Sequence, residues 1–261
     1  MRLGCLLAAV WLGGCTAPEN GSRWSRHFDA DIWGGAVAQQ VQRPDRLIPE
    51  AALLTAVPFA FIYDTDVHNH YENYTVDSNT QNTADALQLI LPAIPLTIGT
   101  VDWARGDGGR NMEVVAESLG GVVVLQQALA HTVGRERPNG KDNLSFPSGH
   151  TSWAFAATTL IVRDLHDPSD TSFHAVDALV YVPAMFAAWE RVAANEHWTS
   201  DVVCGALLGV FLTNTIWDAH FGSHEETRPT IYRDVRPRGI AWRPSLDWID
   251  DRPAVGIEIG F

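Results

Sequence analysis

After a polar stretch over about residues 18–45, apolar residues gather into six segments: Ala51–Tyr63, Ala86–Val101, Val114–His131, Thr151–Val162, Val176–Ala194 and Asp201–Trp217. Their lengths and their Ala, Leu and Val content predict about six helices and an all-α bundle. Turn chemistry separates them at Arg105-Gly106-Asp107-Gly108-Gly109 and at His166-Asp167-Pro168-Ser169-Asp170. From about Thr230 the pattern changes. Gly239–Trp248 and Ala254–Phe261 alternate loosely and predict a short C-terminal β-hairpin packed on the bundle.

A membrane-crossing helix needs about 20 apolar residues, whereas runs of roughly 10–14 more often make buried core helices. Glu113 and Glu117 interrupt one segment, Pro92 and Pro95 another, and Val202–Trp217 is the best span candidate but short. The mean hydropathy of −0.05 is low for six spans. The expectation is a soluble bundle tethered by lipid on the periplasmic side, with a multi-pass inner-membrane protein as the alternative.

The tether would come from the first residues. Met1-Arg2 is a short positive start and Leu3–Leu12 an apolar run of signal-peptide length. Leu12-Gly13-Gly14-Cys15 resembles the bacterial lipobox, in which Cys15 is lipidated, and Thr16 after it favours the outer membrane. The expected organisation is a signal over residues 1–15, a polar leader over 16–45, a helical domain over 46–220 and a tail over 221–261. Loss of the signal leaves Cys15 lipidated and Cys204 alone, so no disulfide framework is expected.

The 261 residues allow one sizeable domain with its own core. The net charge of −13 excludes a nucleic-acid partner, which needs clustered surface cations. Lys141 is the single lysine, so the positive charge is almost all arginine. An acidic chain with a local arginine cluster suits a small anion held in a pocket.

Three short segments supply such a cluster. In Pro147-Ser148-Gly149-His150, Ser148 is a good helix N-cap, Gly149 permits close backbone approach, and the following helix aims free N–H groups at the same place. His197 and Asp201 are four apart, neighbours on one face if the last helix begins near Glu196, and a carboxylate on Nδ1–H would leave the Nε2 lone pair outward. Arg191 lies just upstream. Arg135 and Arg137, in Gly134-Arg135-Glu136-Arg137-Pro138, add planar guanidinium forks suited to phosphate oxygens. Each segment alone has a plain reading as a helix cap or a dipole-favoured arginine. Together they form the inventory that holds a tetrahedral oxyanion beside a ring nitrogen. The run from Asp64 to His70 alternates oxygen and nitrogen ligands, but reads as a solvated polar loop and not as a metal site.

Arg137-Pro138, then Pro147-Ser148-Gly149-His150, then Arg191 with His197 and Asp201 resembles, in order and spacing, the three-part signature of the type 2 phosphatidic acid phosphatase superfamily. That superfamily also holds bacterial class A acid phosphatases and vanadium haloperoxidases. The resemblance covers roughly Ala86 to Trp217. It implies a metal-independent and cofactor-free phosphatase of a phosphomonoester or diphosphate, with phospholipids and polyprenyl diphosphates among the candidate substrates. By the same resemblance His197 is the nucleophile, Asp201 orients it, and His150 is the general acid and then the base. Arg137, Arg191, Ser148 and Gly149 hold the phosphate oxygens. Two positions depart from the signature: Ala130 stands where it has a lysine, and Glu190 where it has a serine. Arg135 is expected to replace the missing lysine. The same resemblance leaves two alternatives, a vanadium-dependent haloperoxidase and a non-catalytic phospholipid-binding lipoprotein.

Overall fold

The computed structural model describes residues 30–42, 47–106, 109–166, 174 and 176–221, together with the backbone of 241–249 and 252–260. The signal, the lipobox and Cys15 lie outside these residues. The described part holds seven helices: α1 (Ala30–Gln42), α2 (Leu47–Tyr71), α3 (Ser78–Arg105), α4 (Arg110–Val133), α5 (Gly149–Leu165), α6 (Asp177–Ala193) and α7 (Thr199–Phe221). Strands β1 (Ala241–Ile249) and β2 (Arg252–Gly260) pair antiparallel, with Leu246 opposite Val255.

Six of these helices are the six apolar segments, and the hairpin falls where alternation placed it. Helix α1 was not anticipated, because it lies in the segment read as a polar leader. Its Ile32, Ala36 and Gln40 recur every four residues and are buried, forming one stripe that packs on α7. The Gln40 side-chain amide hydrogen-bonds Asp218 of α7.

Helix α5 is the axis. It packs against α7, α3, α6 and α4, and most of its side chains are buried, among them Ala154, Ala156, Ala157 and Leu160. A helix apolar on every side must be surrounded. Small residues bring α7 against it. A Cβ on Gly205 would stand 2.7 Å from the carbonyl oxygen of Ser148, and one on Gly209 would press the carbonyl oxygen of Ser152. Local chemistry sets the helix ends. Asp77 caps α3 by accepting from the Asn79 and Thr80 N–H groups, and Gly106 and Gly134 close α3 and α4 in the left-handed conformation that favours glycine.

The helices outrun the apolar segments that announced them. α3, α4 and α7 contain 28, 24 and 23 residues and are long and apolar enough to cross a membrane. Large apolar side chains are exposed on the helices around the axis: Leu54 and Ile62 on α2, Leu89 on α3, Val124 on α4, Leu179 and Met185 on α6. Such a belt exceeds what water tolerates on a folded surface. The length argument against spanning therefore fails, and the features are those of a membrane protein.

Candidate active site

The end of the bundle where α4 and α6 finish and α5 and α7 begin collects the three segments. Gly134 ends α4, so Arg135 and Arg137 lie in the loop beyond it, not on the helix. That loop is pinned by backbone bonds from Arg137 N–H to Asp142 O and from Ser145 N–H to Arg135 O. The Ser148 N–H donates to Asp201 O at 2.9 Å, which ties the start of α5 to the start of α7.

His197 is 3% exposed. Its Nδ1 lies 2.7 Å from the carbonyl oxygen of Ser145, while Asp201 Oδ2 is 3.9 Å away. A carbonyl only accepts, so Nδ1 carries the hydrogen and Nε2 the lone pair. The tautomer is the expected one, but a backbone oxygen and not Asp201 sets it. Asp201, fully buried, acts one step removed. It accepts from the Ser145 hydroxyl, from the Trp198 N–H at 3.0 Å and from Arg135 Nη1 at 2.7 Å. The bond from Trp198 makes Asp201 a capping residue of α7 as well.

Arg137 faces the lone pair, with Nη1 3.2 Å from His197 Nε2. It is aimed by Asp142 on Nε at 2.8 Å and by the Glu196 carbonyl oxygen on Nη1 at 2.9 Å. The Leu144 N–H and Arg137 hold the Asp142 carboxyl below its ordinary range. Burial alone would raise Glu196, but its hydrogen bond with Lys141 and the charges of Lys141 and Arg137 outweigh that and lower it. Arg137 Nη2 has no partner among the described residues.

Arg191 is gripped by its neighbour. Glu190 Oε2 accepts from both Nε and Nη2, and Asp85 of α3 lies 3.7 Å from Nη2. The carboxylate that replaces the signature's serine therefore orients the arginine from behind and partly neutralises it. Arg191 Nη1 has no partner among the described residues.

His150 stands in the first turn of α5 with no hydrogen bond among the described residues. Surrounding protein withdraws water from the imidazole, although part of it remains exposed, and the positive charges of Arg191 and Arg137 add to the effect. Asp85 opposes them, and the pKa falls to about 4. Those charge effects also place His150 in the same cluster as His197 and the two arginines. Beneath it, the buried Ser148 hydroxyl caps α5 by accepting from the Thr151 N–H at 3.5 Å, and it also accepts from the Thr151 hydroxyl at 3.0 Å. Gln126 of α4 donates to Pro147 O at 2.9 Å, and its amide would sit 3.1 Å from any Cβ on Gly149.

Arg135 is held otherwise than Arg137 and Arg191. Its terminal nitrogens donate to Asp201, to the Ser200 hydroxyl at 2.6 Å and to Asp64 Oδ2 at 2.8 Å, and its guanidinium lies over Phe61 and Trp198. Two carboxylates and a hydroxyl hold three of its five donors, the arrangement of a brace between the loop, α2 and α7. Asp64 is a correction. Residues 64–70 form the last turns of α2 and not a loop, and Asp64 caps α7 by accepting from the Ser200 N–H at 2.8 Å. Sequence reasoning missed Ser145, Gln126 and Glu196. Ser145 and Glu196 work partly through backbone carbonyls, for which a sequence carries no signal.

Comparison with known proteins agrees with this geometry. Residues 132–225 match the PAP2 superfamily model. Lipid A 1-phosphatase of Porphyromonas gingivalis is 39% identical over 101 residues, which are 38% of this chain and 22% of that protein. An Arabidopsis thaliana protein named "Probable lipid phosphate phosphatase 4" is 35% identical over 78 residues, 27% of this chain and 25% of that protein. The chain thus spans a quarter or less of the length of these relatives. No solved structure matches it significantly. From the end of α4 to just beyond α7, the chain carries a PAP2 superfamily domain.

Proposed function

We propose that this chain is a phosphatase of phosphomonoesters or diphosphates borne by membrane lipids, working through a phosphohistidine on His197. The observation that carries the reading is His197 Nε2, held as a lone pair by the Ser145 carbonyl with Arg137 beside it. The exposed apolar belt and the lipid phosphatases among the relatives support the lipid-borne substrate.

In this mechanism Arg137 Nη2, Arg191 Nη1 and the free N–H groups at the start of α5 hold the phosphoryl oxygens. Nε2 attacks phosphorus as the bond to the leaving oxygen breaks, and His150 gives that oxygen a proton. Water then attacks phosphorus, the P–N bond breaks, and His150 takes the water's proton. Free His150 is neutral near pH 7. The negative charge of a bound phosphate opposes the guanidinium groups that depress it and restores the proton that it must donate. Guanidinium and helix N–H groups suffice to stabilise the charge that develops on the equatorial oxygens.

In this reading the chain is also lipidated on Cys15 and turns its site to the periplasmic side. The experiment is a phosphate-release panel over lipid phosphates, polyprenyl diphosphate and soluble esters, with His197→Ala as the blank and an alkaline quench to trap phosphohistidine. Release and trapped label that both vanish in His197→Ala are expected. Release that persists in that variant overturns the mechanism. Phosphate binding without any release favours a non-catalytic lipid-binding protein.

A further inference from the structure

The α5–α6 connection, at the other end of α5, gathers a second set of side chains. α5 is 17 residues long, which sets the two ends about 25 Å apart. His166 closes α5, and Asp177 opens α6. His166 Nε2 lies 2.7 Å from Asp177 Oδ1. Asp177 Oδ2 accepts from the His174 N–H at 2.7 Å and is 3.8 Å from His174 Nδ1. The two imidazoles stack, with centroids 4.5 Å apart and planes at 27°. Asp177 is fully buried.

We propose that His166, His174 and Asp177 form a divalent transition-metal site, of which Zn²⁺ is the best-fitting occupant, clasping the end of α5 to the start of α6. One ligand atom from each residue lies within 4.8 Å of the others. Zn²⁺ bonds of about 2.0–2.2 Å in tetrahedral geometry require ligand atoms roughly 3.3 Å apart. A shift of about 1.5 Å at most closes the set, and His174, with 42% of its side chain exposed, can make it by rotating. Two imidazoles and one carboxylate are a donor set for zinc and its neighbours and a poor one for Mg²⁺ or Ca²⁺. Stacked imidazoles facing a single buried carboxylate would repel each other if both were protonated. As neutral ligands both turn lone pairs to one cation, and the carboxylate offsets half its charge. The exposed edge of His174 leaves the fourth position to water, and the proposal is independent of the phosphatase chemistry at the far end.

The test uses the full chain purified in detergent, stripped with EDTA, and titrated with Co²⁺ and then Zn²⁺. One Co²⁺ per chain is expected, with the visible absorption of four-coordinate cobalt bleached by Zn²⁺, and Zn²⁺ is expected to raise the unfolding temperature. His174→Ala removes a half-exposed ligand and should weaken Co²⁺ binding about 10-fold or more. Should that variant fail to fold, His166→Gln gives the same readout. No cobalt spectrum at millimolar Co²⁺, or a spectrum unchanged in both variants, overturns the proposal and leaves a plain His166–Asp177 ion pair.

Discussion

His197 gives its Nδ1 hydrogen to the backbone of Ser145, and Asp201 reaches the imidazole only through that serine's hydroxyl. In serine-hydrolase triads a carboxylate directly on Nδ1–H carries about 10⁴ in kcat. Here the carbonyl keeps the tautomer when the carboxylate is lost. Asp201→Asn is therefore expected to lower kcat by only about 10- to 100-fold, with a lowered unfolding temperature because Arg135 loses its partner. A loss near 10⁴ with unchanged stability would show Asp201 acting on the imidazole itself.

The three arginines should separate by readout. Arg137→Ala and Arg191→Ala each remove donors to developing charge and should cost about 10²–10³ in kcat at little cost in stability. Arg135→Ala leaves buried Asp64 and Asp201 uncompensated, and should destabilise the fold by about 2–4 kcal/mol, less than a fully buried pair because Arg135 is partly exposed. Thermal unfolding beside kinetics checks this. An Arg135→Ala protein of native stability that binds substrate poorly would return Arg135 to the phosphate clamp.

His150 should titrate near 4 in the free protein, and vanadate should raise it, as followed by NMR of the imidazole. The sign for stability follows from linkage. The unfolded chain binds the proton more tightly than the fold, so this contribution is complete above about 6.5 and is lost as pH falls toward 4. His150→Gln should flatten acid destabilisation within that window. It should also slow esters with alkyl leaving groups far more than p-nitrophenyl phosphate, whose leaving group needs no proton. Equal slowing of both would remove His150 from the acid role.

The contact between α5 and α7 predicts a graded glycine series. Gly205→Ala and Gly209→Ala drive a Cβ into α5 backbone, at Ser148 and Ser152, and should cost about 1–3 kcal/mol. Gly205→Ala should cost activity as well, because Ser148 heads the first turn of α5, where the proposed phosphate site lies. Gly120 has nothing within 4 Å of its added Cβ, so Gly120→Ala should stabilise the protein by about 0.5–1 kcal/mol. Denaturant midpoints for the three variants decide it.

The helices were legible because Ala, Leu and Val accumulate wherever a helix is buried or meets lipid, as in α5. Their lengths were not, because polar residues such as Asp64 and His68 sit inside helix ends and answer to distant partners. The residues gathered around His197 were legible as types at fixed spacing. What each arginine touches was not. Arg135 and Arg137 are two apart, yet opposite loop bonds turn one to Asp64 and Asp201 and the other to His197. Helix α1 escaped because Gly34, Gly35 and three glutamines mask a stripe that is only one residue wide per turn.

Asp64 lies well outside residues 132–225, yet its carboxylate holds the first turn of α7, 136 positions on, and the outer nitrogen of Arg135, 71 positions on. The start of α7, just after His197, is therefore set only when the end of α2 has met it. Loops this long close late in folding. A nascent or half-inserted chain would hold every residue of the signature and still lack a working site. The cluster around His197 is complete only once that long-range contact has formed.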